Sequence, residues 1–222
     1  AGVGVEPDPA MAEVARRRLG PGWRVDVTPF ETWTPSAGDP PVDLIVSAQA
    51  WHWFDPEQRF GTAHRLLQPG GWLALWWNRP AAAEDPIQRA IEAVYAAHEP
   101  DLASHAFGPP LEAEPTAYPG TIPDGVAFGQ AHMRSYRWSR TFAAAEWLDY
   151  LRTQSDHRML AEDRREALLA AVGRAIEDHG GRYLQPYVCV LWAVERLSVP
   201  TGPPHLPRDW LAPLGERAGG RS

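Results

Sequence analysis

The sequence predicts an α/β protein built on a parallel sheet. Three observations point there. Apolar runs of strand length alternate with stretches of helical periodicity, the links between them are short, and Asp-Pro pairs mark the starts of helices. At roughly 150 residues per domain, 222 residues make one domain with room for an insertion. Apolar residues are 44% and charged residues 22%, which excludes collagen, a coiled coil and a disordered acidic tail. The net charge is −7, which gives no general attraction to phosphate backbones, so no nucleic-acid partner is expected; the use of Arg for every basic residue reads as a GC-rich genome. Charges and prolines break each apolar stretch well short of about 18 residues, so no membrane helix is expected. A single cysteine, Cys189, excludes an internal disulfide framework and a Cys-based zinc cluster, and its apolar neighbours predict a buried, inert thiol. No signal peptide is readable, and the expected compartment is the cytoplasm.

Val3 to Val5 reads as a short buried strand. Asp8 then caps a helix with Pro9 at its first position, and Met11, Val14, Ala15 and Leu19 form the face packed on the sheet. Gly20 is the expected C-cap. Arg16 to Arg18 suit the negative end of that helix. Trp23 to Thr28 reads as a second strand, Thr34 to Pro41 as a loop, and Val42 to Ala48 as the central buried strand. Asp55, Pro56 and Gln58 look like a second helix start, with Phe60, Ala63, His64 and Leu67 on one face. Pro69-Gly70-Gly71 turns the chain into a strand from Trp72 to Trp77. Asp85-Pro86 opens another helix, facing the core with Ile87, Ile91, Val94 and Tyr95. Residues 98 to 125 read as a long loop or cap. His132 to Trp138 is expected as a strand, Phe142 to Thr153 and Glu162 to His179 as helices, and Tyr187 to Arg196 as a last buried strand. Residues 198 to 222 read as a Pro- and Gly-rich tail.

Open parallel sheets bind ligands beyond the carboxyl ends of their strands. Glu6-Pro7 stands beyond the first strand, where a carboxylate either takes ribose hydroxyls or sits on the surface near a helix N-terminus. Phe30, with Met11 and Ala50, forms either an adenine sandwich or ordinary packing. Ala48-Gln49-Ala50-Trp51-His52-Trp53-Phe54-Asp55 puts Gln, His and three large aromatics directly after the central strand, which suits a ligand or a lid. His52 is either a base or donor, or a structural histidine. Arg79, and behind it Arg59, are the candidates for an acceptor carboxylate. The eight histidines show neither an H-x-x-x-H pair nor H-E-x-x-H, so no metal is expected. A Walker A loop, G-x-S-x-G, C-x-x-C and G-x-G-x-x-G are all missing from the sequence.

Residues 3 to 19 (VGVEPDPAMAEVARRRL), 42 to 57 (VDLIVSAQAWHWFDPE) and 63 to 78 (AHRLLQPGGWLALWWN) together resemble a class I S-adenosylmethionine (SAM)-dependent methyltransferase, of the type 11-like kind. The resemblance covers about residues 1 to 197. It implies a Rossmann-like sheet of strand order 3-2-1-4-5-7-6 with a helical or loop cap. The family's first strand and D-x-G-x-G-x-G loop would precede Val3, so the resemblance marks the chain as N-terminally truncated. It implies SAM as cofactor and a small-molecule acceptor, with the oligomeric state open. By position, Glu6 and Pro7 would meet the SAM ribose, Met11 and Phe30 the adenine, and Ala48, Gln49 and Ala50 the methionine moiety. Trp51, His52 and Trp53 would face the transferred methyl and the acceptor. Two other readings stay open: a partial methyltransferase-like domain acting as a binding module, and a nicotinamide-dependent dehydrogenase.

Overall fold

The computed structural model describes residues 2–82, 85–106, 120, 122 and 126–197, with side chains at 104–106 excepted. The expected 198–222 tail and most of the cap between 107 and 125 lie outside the described residues. The elements alternate as an α/β protein should. In chain order they are β1 (Gly2–Val5), α1 (Pro9–Arg18), β2 (Trp23–Asp26), β3 (Val42–Ala48), α2 (Arg59–Leu66), β4 (Leu67–Pro80), α3 (Pro86–His98), α4 (Pro100–Ala106), β5 (His132–Ala143), α5 (Ala144–Thr153), α6 (Ser155–Arg158), α7 (Glu162–Asp178) and β6 (Arg182–Glu195). Single 3₁₀ turns follow β2 at Phe30–Thr32 and β3 at Trp51–Trp53.

The strands form two sheets: parallel β1-β2, and a four-stranded sheet in the order β3-β4-β6-β5. One sheet joining all six strands is not formed among the described residues. β3 and β4 are parallel. The amide of Gly70 bonds the carbonyl of Arg196 and that of Ala81 bonds Pro186, so β6 runs against β4 and the larger sheet is mixed. The chain divides into two compact units, Ala1–Trp76 with Ala117–Arg134 and Leu191–Ser222, and Trp77–Thr116 with Ser135–Val190.

Two Asp-Pro signals work as expected. Asp8 accepts from the amides of Ala10 and Met11 at 2.7 and 2.9 Å, and Asp85 accepts from Gln88 at 2.7 Å. The third does not. The Asp55 carboxylate accepts from the Glu57 amide and the Gln58 side chain, which closes a turn, and α2 begins only at Arg59. α1 buries Ala12, whereas Met11 and Val14 are exposed. The narrow β1-β2 sheet is covered by one small stripe of the helix and leaves the rest of the apolar arc open. Gly20 is not a left-handed cap. Leu19 leaves the helix in extended conformation, and the positive φ comes at Gly22.

The Pro69-Gly70-Gly71 turn is an irregularity inside a strand that runs from Leu67 to Pro80. Val42 pairs with Leu67 but Leu44 with Trp72. Gly70 has φ +82°, and a Cβ on Gly71 would lie 3.1 Å from the Asp43 carbonyl oxygen, so the chains approach this closely only with glycine there.

In the second unit α3, α5, α7 and β6 enclose a core that includes Ile91, Trp147, Leu168, Val172, Ile176 and Tyr183. α4 is a helix where a loop was expected. β5 continues to Ala143, which pushes the start of α5 to Ala144, and the Glu146 carboxylate takes the Ala143 amide. Gly180 and Gly181 end α7, both with positive φ, and the Gly181 amide reaches back to the Ile176 carbonyl. Cys189 is half-buried, and burial pushes its thiol pKa up.

Candidate functional site

β1, β2 and β3 deliver their carboxyl ends within the first unit, and most of the expected site residues follow them. Glu6 leaves β1 with its amide on the Asp26 carbonyl at 3.1 Å, so the ends of β1 and β2 stay side by side. Its side chain is half-buried. Oε1 accepts from the Asp8 amide at 2.9 Å, which folds the carboxylate over the start of α1. Pro7 is exposed, as is Met11 one turn further on.

β2 ends in a small polar cluster that sequence reasoning missed. The Trp33 indole N–H donates to Asp26 Oδ2 at 2.8 Å, and Arg24 forks onto Asp39 with both contacts at 2.6 Å. The Arg24 guanidinium holds the Asp39 carboxyl down at about 2. The loop from 27 to 39 is thereby tied back on β2. Trp33 carried no periodic signal, because its role depends on a loop contact.

Phe30 and the aromatic segment after β3 come together. Phe30 is buried and stacks on Phe54 at 5.0 Å between ring centroids, with Trp51 tilted against it at 6.1 Å. Trp51 meets Phe54 and Phe60 edge-on at 5.4 and 5.2 Å. The Glu31 carboxylate takes the Asp55 amide at 2.8 Å. The turn after β2 is thus fastened to the turn after β3. Trp51 is turned inward, fully buried, where the resemblance had it facing an acceptor.

The other end of the turn is open. His52 is exposed as a residue, and Trp53 is 74% exposed, with the two ring centroids 5.0 Å apart. Partial burial and the nearby Arg59 charge lower the pKa of His52 from the ordinary histidine value. Gln49, between β3 and this turn, has φ +56°, the left-handed region, with its amide on the Trp76 carbonyl at 3.0 Å. A non-glycine residue there is a strained point of the kind that clusters at functional sites. Ala48 is exposed and Ala50 half-buried on either side of it. Arg79, by contrast, belongs to the second unit.

Two buried polar atoms at the carboxyl end of β3, Ser47 Oγ and Trp51 Nε1, have no hydrogen-bond partner among the described residues. Leaving such a group unpaired costs about 1–3 kcal/mol. Ser47 and Trp51 flank the segment expected along the methionine moiety, and with the Glu6 carboxylate beyond β1 these polar groups suit a polar nucleoside cofactor. Among the described residues no group of three or more His, Cys, Asp or Glu could hold a metal ion. None of the described helices is long and apolar enough to cross a membrane.

Residues 2–75 match the family described as a methyltransferase domain. An uncharacterized methyltransferase of Mycobacterium tuberculosis is 40% identical over 76 residues, which is 34% of this chain and 30% of that protein. An uncharacterized methyltransferase-like protein of Schizosaccharomyces pombe is 33% identical over 76 residues, 34% of this chain and 28% of that one. The matched segment therefore spans under a third of the length of these curated relatives. A solved structure of a candidate type II methyltransferase from Anaeromyxobacter dehalogenans shares the fold with TM-score 0.51 and 21% identity, over 88% of this chain and 80% of that one. Residues 2–75 are thus similar to a methyltransferase domain, and the chain shares the Rossmann-like fold of that solved structure.

Proposed function

We propose that this protein transfers a methyl group from SAM to a small-molecule acceptor. The observation that carries the reading is the methyltransferase-domain match over residues 2–75, which includes every strand end of the candidate site. Bound SAM supplies an electrophilic methyl carbon on a sulfonium, and the protein contributes binding and alignment. In this reading Glu6 accepts hydrogen bonds from the ribose hydroxyls, next to Pro7. Met11 and Phe30 flank the adenine. Ala48, Gln49 and Ala50 run along the methionine moiety. His52 and Trp53 are the side chains open to the acceptor, with Trp51 as the wall behind them.

Calorimetric titration of the 222-residue chain with SAM tests this directly. Saturable SAM binding without NAD binding is expected. Binding of NAD in place of SAM would overturn the reading.

His52 is the proposed general base for a hydroxyl or amine acceptor. A base must be neutral to take a proton, and its neutral fraction falls as pH drops through its pKa. Because that pKa is lowered, His52 stays neutral at pH 7 and further into the acid range than an ordinary histidine. Transfer of labelled methyl to a panel of phenols, alcohols and amines is expected to show an acid limb below the ordinary histidine value. His52→Gln should remove that limb and cut kcat by about 100-fold or more. An acid limb unchanged in His52→Gln would exclude His52 as the base.

A further inference from the structure

We propose that Arg59 is a positioning residue for the candidate site: it fixes the turn that presents His52 and Trp53 by gripping that turn from inside. Arg59 is 8% exposed, unusual for a charged side chain, and a buried charge must be engaged to be tolerated. Its Nη1 donates to the Trp51 carbonyl at 3.0 Å. The guanidinium carbon also lies 5.7 Å from the centroids of both the Trp51 and Phe60 rings. A planar guanidinium can donate from its edge while its face rests on an aromatic ring, which an ammonium cannot. The chain leaves room for it. Gly120 has φ +96°, and a Cβ there would come within 2.7 Å of Arg59 Nη2.

The grip reaches His52 through one residue. Trp51 opens the three-residue turn whose other two members are His52 and Trp53, and the Trp53 and Phe54 amides close on Ala50 and Trp51. Fixing the Trp51 carbonyl therefore fixes the direction in which both side chains leave the surface. Arg59, from α2, is the charged group that acts on His52, while the Trp53 ring faces it from its own turn. In the same turn region the Asp55 carboxylate takes the Glu57 amide and the Gln58 side chain, and the Glu31 carboxylate takes the Asp55 amide. Position and charge thus come from the same side chain.

The functional meaning of this grip rests on His52 acting as the base, but its test does not. Proton NMR titration of the full chain without SAM follows the His52 ring, assigned with His52→Gln, and hydrogen exchange follows the Trp53 and Phe54 amides. In Arg59→Met the His52 midpoint should rise and both amides should exchange about tenfold faster. In Arg59→Lys the charge is kept and the fork lost, so the midpoint should stay low while exchange still quickens. A folded Arg59→Met protein with unchanged midpoint and exchange overturns the proposal. Should Arg59→Met fail to fold, unchanged exchange in Arg59→Lys overturns it equally. If these effects appear in a chain that does not bind SAM, the positioning role stands and the methyl-transfer reading fails.

Discussion

Glu6→Ala is expected to weaken SAM binding by about tenfold or more, measured by calorimetry against the unsubstituted chain. Hydrogen bonds to a carboxylate are each worth about 1.5–3 kcal/mol. The Glu6 side chain is only half-buried, so the lower end applies, and 1.4 kcal/mol is already a factor of ten. One confounding route is local: Glu6 Oε1 also takes the Asp8 amide at the start of α1. Asp8→Ala separates the two. It removes the N-cap of α1, costing about 1 kcal/mol of stability, and leaves the Glu6 carboxylate in place. SAM affinity should therefore survive in Asp8→Ala and fall in Glu6→Ala. Wild-type affinity in Glu6→Ala would remove Glu6 from the cofactor site.

Much of the fold was legible because the relevant forces are local. An Asp-Pro pair caps a helix by itself, so α1 and α3 start where the sequence puts them. β3 has the expected ends, but it is the outer strand of its sheet among the described residues and buries only Ser47, where a central, buried strand was expected. What was not legible depended on competition between segments. Asp55 carries the same cap signal and its carboxylate does take the Glu57 amide, but the Asp55 amide, which Gln58 would take in a capping box, goes to Glu31, 24 residues earlier. Met11 and Val14 have the right helical spacing, yet which part of an apolar arc is covered depends on the width of the sheet beneath it.

The candidate site divides the same way. The strand ends located Glu6, Gln49 and His52 without any tertiary information. The directions of the aromatic side chains were missed, although a signal was available. In a 3₁₀ turn, residues three apart eclipse each other, so Trp51 and Phe54 must point to the same side. Both turn inward on Phe30, which leaves His52 and Trp53 to the surface. Arg59 was read only as a possible anion binder, because burial of an arginine under aromatic rings leaves no mark in the linear sequence.

Trp51→Ala should destabilise the protein by about 3–5 kcal/mol, the range for removing a fully buried large aromatic. The indole fills the space between Phe30, Phe54 and Phe60, and neighbours on two turns and a helix cannot all close a cavity of that size. Trp51→Phe is the informative partner. It keeps an aromatic ring in the cluster and deletes Nε1, which has no partner among the described residues, so the cost of the smaller ring is partly offset and should stay below about 1.5 kcal/mol. Urea unfolding reads both as shifts of the midpoint at constant slope. A Trp51→Ala midpoint equal to that of the wild type would mean that the side chain is not core. The same pair also separates packing from ligand contact. If Trp51 only braces the turn, Trp51→Phe binds SAM normally while Trp51→Ala loses affinity along with stability, because the cluster fastens the turn after β2 to the turn after β3. If Nε1 instead donates to the bound cofactor, Trp51→Phe loses affinity with its stability intact.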